Sequence, residues 1–150
     1  KVPLIVAALG PAMLKLTGEL ADGTTTWMVG PETMAGHIVP TLSAAARAAG
    51  RGDPIVVGGF PVVLTNKPDE ARAAIAQQLT IYGQLPSYRA MLDREGASGP
   101  ADIALAGDEN YLRGAIRRLE SIGVTDFNAA IAATDAGAYE RTLEFLASLN

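Results

Sequence analysis

Side chains that commonly carry chemistry are scarce in this sequence. His37 is its one histidine, there is no cysteine, and no nucleophile elbow, Walker sequence or Gly-x-Gly-x-x-Gly run occurs. No His, Asp and Glu residues have metal-site spacing, and most of the acidic residues considered fall where carboxylates cap predicted helices: Asp69, Glu70, Asp108 and Glu109. None is a persuasive general base, so the sequence identifies no catalytic residue and predicts no metal site.

Two other titratable residues have less obvious positions. His37 lies inside a predicted helix between apolar residues, with only Glu32 on the preceding turn to partner it. This context favours a structural or solvent-facing histidine, with a substrate contact as the alternative. Asp22 comes at the C-terminal end of a predicted helix, where the helix dipole gives a carboxylate no advantage. An α/β fold with so few reactive side chains suggests that a bound cofactor supplies the chemistry.

The first strand-to-helix turn is the strongest local signal for such a cofactor. An apolar strand over residues 2–9 stops at Gly10-Pro11 and opens into a helical pattern. Unpaired backbone N–H groups at a helix start, with Pro as the first helical residue, form the usual phosphate site of α/β proteins. A tight strand-helix connection without a ligand is the alternative.

Strand and helix patterns alternate along the whole chain. Four strands are predicted at Pro3–Ala8, Thr24–Val29, Ile55–Leu64 and Asp126–Ala132. Helices are predicted at Ala12–Ala21, Pro31–Ala49 with an interruption at Pro40, Asp69–Tyr82, Asp108–Ile122 and Ala136–Leu149. Apolar strands that alternate with helices indicate a parallel sheet covered on its faces. Four such units fit either half of an eight-stranded barrel or a small doubly wound sheet.

Several longer runs resemble one known family. They are Ala7-Ala8-Leu9-Gly10-Pro11, the stretch over residues 14–23 that closes with Ala21-Asp22-Gly23, Trp27-Met28-Val29-Gly30-Pro31, and the stretch over residues 82–96 that opens with Tyr82-Gly83-Gln84-Leu85-Pro86-Ser87-Tyr88-Arg89. Together they resemble the luciferase-like monooxygenase superfamily, and among its members the oxidoreductases that use the deazaflavin coenzyme F-420. The likeness covers residues 2–148, about half the length of a family member.

The resemblance implies a fold and a function. It implies that residues 1–150 form one unit, the C-terminal half of a TIM (β/α)8 barrel, with an insertion at about residues 83–99 near the mouth of the active site. The complete enzyme would transfer a hydride between F-420 and a small organic substrate. An FMN-dependent luciferase-like monooxygenase and a non-catalytic flavin-binding or partner-binding half barrel are the alternatives.

The resemblance also assigns candidate site residues. The cofactor phosphate would lie against the backbone of Ala8, Leu9, Gly10, Pro11, Ala12 and Met13. Trp27 and Met28 would line the pocket, although a core aromatic explains Trp27 equally well. Tyr82, Gln84, Tyr88 and Arg89 are candidates for the pocket rim, with a solvated helix face as the alternative. Catalytic residues are expected in the half that the likeness does not cover.

Composition narrows the class of partner. Sixteen acidic and twelve basic residues give a net charge of −4, without the basic stripe that nucleic acids require. Hydrophobic residues make up 49% of the chain, but Gly and Pro break every long apolar run, so neither a membrane span nor a signal peptide is predicted. We expect a cytoplasmic protein that binds a small molecule. Because a half barrel exposes two sheet edges, we also expect a homo-oligomer or pairing with an N-terminal half barrel.

Overall fold

The computed structural model describes residues 2–149, in which parallel strands alternate with helices. The strands are β1 (Ile5–Ala7), β2 (Gly23–Trp27), β3 (Ile55–Leu64), β4 (Leu105–Gly107) and β5 (Asp126–Ile131). The helices are α1 (Pro11–Leu20), α2 (Pro31–Thr33), α3 (Val39–Ala48), α4 (Pro68–Gln78), α5 (Pro86–Glu95), α6 (Glu109–Ser121) and α7 (Ala138–Ala147). The predicted class, an α/β fold built from parallel strand-helix units, is confirmed.

The long central strand β3 organises the sheet. One edge pairs first with β2, up to the Trp27–Gly59 pair, and then with β4, starting at the Leu105–Val62 pair. The other edge pairs with β5, and β1 pairs with β2. Within residues 2–149, β1 and β5 therefore each have one strand neighbour, and the sheet is open at both ends.

The two faces of the sheet differ in burial. On one face Thr24, Val56 and Phe60 are buried in the main core, which continues into the helices through residues such as Leu14 and Leu112. The opposite face carries side chains that remain partly or fully exposed, among them Ala7, Thr25, Trp27, Val57 and Asn128. The expectation of a sheet covered on both faces therefore fails along β1, β2 and β5, whereas further along β3 Val63 is fully buried in a second cluster with Ala71 and Ile75. A half barrel explains the difference, because its inner face is completed only by the other half.

Pro40 does not interrupt the second long helix. A π-helical turn over Met34–Ile38 joins α2 to α3 directly in front of it, and the Val39 N–H donates to the carbonyl of Met34. A proline lacks an N–H and its ring collides with the carbonyl four residues earlier in a regular helix. The widened turn accommodates both defects, so the chain stays helical from Pro31 to Ala48.

Other boundaries also differ from the predictions. Strand β4 was not predicted, since three residues are too few for a recognisable pattern. The predicted helix Asp69–Tyr82 ends at Gln78 and continues as a 3-10 turn over Thr80–Gly83. Helix α5 occupies most of the predicted insertion, which lies between β3 and α6. None of the helices formed by residues 2–149 is long and apolar enough to cross a membrane.

Candidate functional site

A cleft of about 540 Å³ lies at the carboxyl ends of β1 and β2. Its walls come from both strands, the start of α1, β5 and the insertion helix α5, and its lining residues are Ala7, Ala8, Leu9, Gly10, Met13, Thr25, Thr26, Trp27, Ser87, Tyr88 and Asn128. This is the end of a parallel sheet at which barrel enzymes bind their ligands. Six residues that the sequence singled out are in this lining: Ala8, Leu9, Gly10, Met13, Trp27 and Tyr88.

The start of α1 borders this cleft with open backbone groups. Gly10 has extended backbone (φ −80°, ψ 156°) and Pro11 is the first helical residue. Within residues 2–149 the N–H groups of Gly10, Ala12 and Met13 donate to no protein group, and the first turn contains no acidic side chain. A Cβ placed on Gly10 would meet no atom within 4 Å. The helix start is therefore free to bind an anion, for which its N–H groups and dipole are suited.

Two aromatic rings, those of Trp27 and Tyr88, line one wall of the cleft, and a third ring packs against both. Tyr82 contacts Trp27 edge-on with ring centroids 6.1 Å apart, and it contacts Tyr88 at 5.0 Å. Tyr82 itself lies behind the lining residues. Burial, and to a smaller extent the neighbouring Tyr82, raises the pKa of the Tyr88 phenol, which is therefore protonated at neutral pH and can donate a hydrogen bond. The indole Nε1 of Trp27 is buried and has no hydrogen-bond partner among residues 2–149.

Three other candidates have different surroundings. The Met28 side chain is fully buried, so it belongs to the core and is absent from the cleft lining. The Met28 backbone has φ 58°, an uncommon value for a residue with a Cβ. Arg89 donates to the carbonyls of Ala97 (2.7 Å) and Ser98 (3.0 Å), so it stabilises the end of the insertion. Gln84 is exposed outside the cleft lining.

The insertion helix α5 is fixed at its far end by a carboxylate. Glu95 accepts hydrogen bonds from the N–H groups of Glu32 (3.0 Å) and Thr33 (2.6 Å) in the first turn of α2. The Thr33 hydroxyl also donates to the carbonyl of Met91 at 3.4 Å. These contacts hold α5 against α2, and its other end presents Ser87 and Tyr88 to the cleft.

His37 and Asp22 both have structural partners. His37 is buried and its Nε2 lies 2.9 Å from the carbonyl oxygen of Leu9, the residue before Gly10. Asp22 accepts from the Leu4 N–H at 2.8 Å and from Arg51 at 2.9 Å, at the opposite end of the strands from the cleft. Its place at a helix C-terminus is explained by these two contacts. Within residues 2–149 no group of His, Asp and Glu side chains could hold a metal ion.

Sequence reasoning missed four polar residues of the cleft, and one of them, Thr26, donates its hydroxyl to the carbonyl of Val57 at 3.2 Å. The other three are Thr25, Ser87 and Asn128, and within the described residues their side chains have no hydrogen-bond partner. Asn128 reaches the cleft because Trp27, Gly59 and Asn128 are in register across three strands. That register, which depends on the folded sheet, is the signal that would have identified it.

The chain is similar to known oxidoreductases over nearly its whole length. The family model described as luciferase-like monooxygenase matches residues 1–144. A 5,10-methylenetetrahydromethanopterin reductase of Methanopyrus kandleri is 29% identical over 136 residues, which are 89% of this chain and 35% of that protein. The structure of the coenzyme F-420-dependent tetrahydromethanopterin reductase from Methanopyrus kandleri superposes with a TM-score of 0.75 at 22% identity.

Two further solved structures share the fold. An F-420-dependent secondary alcohol dehydrogenase, in complex with an F-420-acetone adduct, has a TM-score of 0.70 at 20% identity over 87% of this chain and 43% of its own. The oxygenating constituent of 3,6-diketocamphane monooxygenase from Pseudomonas putida, in complex with FMN, has a TM-score of 0.64 at 16% identity over 95% of this chain and 45% of its own. The match to the reductase structure covers 97% of this chain and 49% of that one, so the chain spans about half the length of these barrel enzymes.

Proposed function

Because this chain belongs to the luciferase-like monooxygenase family, we propose that it is the C-terminal half of an oxidoreductase that transfers a hydride between coenzyme F-420 and a small organic substrate. The observation that carries this proposal is the open start of α1 beside the cleft, where Gly10 leaves room for a ligand and three N–H groups have no partner in the described part of the chain. The two similar solved structures that are named for F-420 support the deazaflavin.

The residues of the cleft fit a cofactor that has a phosphate and a flat ring system. The N–H groups of Gly10, Ala12 and Met13 would hold the phosphate, and Trp27 and Tyr88 would pack beside the rings. When bound, the deazaflavin accepts or releases a hydride. The chain's own contribution is then to orient the ring, to exclude water with its apolar wall and to donate a hydrogen bond from the Tyr88 phenol.

A second candidate cofactor is FMN, which presents the same phosphate chemistry to the start of α1. The likeness to a monooxygenase in complex with FMN favours it. In that case the chain is half of a luciferase-like monooxygenase. A half barrel that binds a flavin without catalysis is the third outcome, since the described residues include no evident general base.

Because the sheet is open at both edges, the active enzyme would need a second half barrel to complete it. Both sheet edges are unpaired within residues 2–149, and the inner face leaves Trp27 and Asn128 accessible. We propose that an N-terminal half barrel, or a second copy of this chain, covers that face. The complete pocket would then form between the two halves.

The decisive experiment is a titration with F-420 and with FMN in parallel. The chain is used alone and together with an N-terminal half barrel of the same family, and binding is followed by the absorbance and fluorescence of each chromophore. We expect saturable binding of F-420, tighter than that of FMN by tenfold or more. Tighter binding of FMN would identify the monooxygenase alternative, and binding of neither cofactor in any assembly would refute a cofactor enzyme. Static light scattering on the same samples reports whether the chain pairs with itself or with the other half.

A further inference from the structure

His37 contacts the Leu9–Gly10 peptide group, which lies in the connection between strand β1 and the open start of α1. Its Nε2 lies 2.9 Å from the Leu9 carbonyl oxygen, and the ring is buried inside the π-helical turn Met34–Ile38. A carbonyl oxygen accepts hydrogen bonds and cannot donate them, so Nε2 carries the proton and donates. The contact therefore fixes both the tautomer of the ring and the direction of the Leu9 carbonyl.

The direction of that carbonyl determines where the Gly10 N–H points. The two groups belong to the same peptide unit, which is planar and trans, so they point in opposite directions. His37 is absent from the cleft lining, whereas Leu9 and Gly10 are part of it. A carbonyl held by His37 thus leaves the Gly10 N–H directed away from the ring, towards the side on which ligands enter.

Little else restrains this peptide. Gly10 has no side chain, and a Cβ there would touch nothing within 4 Å, so packing does not hold the turn in place. The Gly10 carbonyl accepts from the Leu14 N–H at 3.0 Å, which ties the far side of the residue to α1 but leaves the Leu9–Gly10 peptide free to rotate. Glycine adopts a wide range of backbone angles, and without His37 this peptide would sample several orientations.

We infer that His37 is a positioning residue, which holds the Leu9–Gly10 peptide with its N–H presented to the phosphate of the bound cofactor. The inference rests on the proposed function, and it gives the single histidine a role that its sequence context did not reveal. His37 itself does not touch the ligand. Because His37 holds the Gly10 N–H in place before the ligand binds, binding does not need to order the turn, and the free-energy cost of binding is lower.

The test separates the phosphate from the ring system by using ligand pairs. F-420 is compared with the deazaflavin riboside that lacks the phosphate, and FMN is compared with riboflavin. His37→Leu removes the donor at similar volume, and His37→Gln is the matched control because its amide nitrogen reaches nearly the position of Nε2. We expect His37→Leu to weaken F-420 binding by about tenfold, as the loss of one preorganised hydrogen bond implies. Riboside affinity should stay within about twofold, and His37→Gln should restore most of the F-420 affinity.

Several outcomes would overturn the inference. Unchanged F-420 affinity in a folded His37→Leu variant would do so, and so would equal losses for F-420 and the riboside, because these indicate a role in the core only. A wild-type chain that binds neither F-420 nor FMN would instead refute the proposed function, and the His37 role with it. Nitrogen-15 NMR of the single imidazole needs no variant: we expect a proton on Nε2, and an Nε2 without a proton would overturn the inference.

Discussion

Two strand-to-helix turns with the same Gly-Pro sequence differ in what occupies their N–H groups. Gly10-Pro11 precedes α1 and Gly30-Pro31 precedes α2, and the two glycines have nearly the same backbone angles (φ −80°, ψ 156° and φ −71°, ψ 163°). The turn before α2 is closed from inside the protein by the Glu95 carboxylate. At the turn before α1, the N–H groups of Gly10, Ala12 and Met13 have no partner among residues 2–149.

This difference separates a structural helix start from a candidate binding site. A Cβ on Gly30 would collide with the Glu95 carboxyl group, so that glycine is needed for close packing. A Cβ on Gly10 would meet open space, and its φ of −80° is available to any residue. The fold therefore gives no reason for glycine at position 10, whereas close approach of an external anion does.

The largest effect is expected for Gly10→Asp. Aspartate is a favoured N-cap residue and the backbone already has N-cap geometry, so the free energy of unfolding should stay the same or rise by about 0.3 kcal/mol. The new carboxylate would occupy the anion position, and F-420 affinity should fall about a hundredfold, or about 2.8 kcal/mol. Thermal melts and F-420 titration measure the two quantities on the same samples.

Gly10→Ala is the size control for this prediction. It adds a methyl group without charge, so we expect F-420 affinity to fall by less than about tenfold. If Gly10→Asp binds F-420 as tightly as the wild type, the start of α1 is not the phosphate site. If the aspartate variant instead unfolds at a much lower temperature, glycine at this turn has a structural role that the open space around it does not indicate.

The next largest effect is expected at the closed turn. Glu95→Ala leaves the Glu32 and Thr33 N–H groups without their charged acceptor, and we expect a loss of about 1–2 kcal/mol in the free energy of unfolding. Glu95→Gln keeps an acceptor without the charge and should lose about half as much. Urea denaturation compares the variants, and equal stability of Glu95→Ala and wild type would show that water replaces the carboxylate at no cost.

The fold was largely predictable because its signals are local. Strand β3 was predicted with the observed bounds, Ile55 to Leu64, because a long apolar run between turn residues is typical of a buried strand. The helix predicted over Asp108–Ile122 is observed as α6 over Glu109–Ser121, and its Leu112 and Leu119 side chains are buried. Pro40 misled the prediction because the neighbouring π-helical turn, which tolerates it, has no sequence signature of its own.

The site was only partly predictable because its essential contacts are long-range. Strand ends and the Gly10-Pro11 turn led to Leu9, Gly10 and Trp27, and the family resemblance led to Tyr88. The fold brings these four residues into one cleft. Their roles towards a cofactor remain predictions. Glu95 and His37 act on residues 62 and 28 positions away. The sequence around the second turn does not identify Glu95 as the residue that closes it.

Replacing each turn glycine by alanine tests whether Glu95 alone causes the difference in packing between the two turns. We expect Gly30→Ala to cost about 1 kcal/mol, because the new methyl group displaces the Glu95 carboxylate from its N–H partners. Gly10→Ala should change the free energy of unfolding by less than about 0.5 kcal/mol, since the weaker N-cap is offset by a less flexible unfolded chain.

Gly30→Ala in a Glu95→Ala background completes a double-mutant cycle. With the carboxylate gone, Gly30→Ala should become nearly neutral, and the coupling energy should be about 1 kcal/mol. Additive effects would mean that Gly30 is required for some reason other than the approach of Glu95, and the comparison between the two turns would lose its physical basis.

The smallest expected effect concerns the connection between the two turns through α5. This helix carries Glu95 at the closed turn and Tyr88 beside the open one, where burial and then Tyr82 raise the pKa of the Tyr88 phenol. If Glu95 holds α5 in place, Glu95→Ala should let water reach the phenol and lower its pKa towards the ordinary tyrosine value. The raised folded-state pKa also fixes the sign for stability: the contribution of Tyr88 is present below about pH 10 and is lost as the pH rises through the folded pKa. Near-ultraviolet absorbance titration, with Tyr88→Phe subtracted to remove the other three tyrosines, measures the shift. An unchanged Tyr88 pKa in Glu95→Ala would show that the position of Tyr88 over the cleft does not depend on the closed turn.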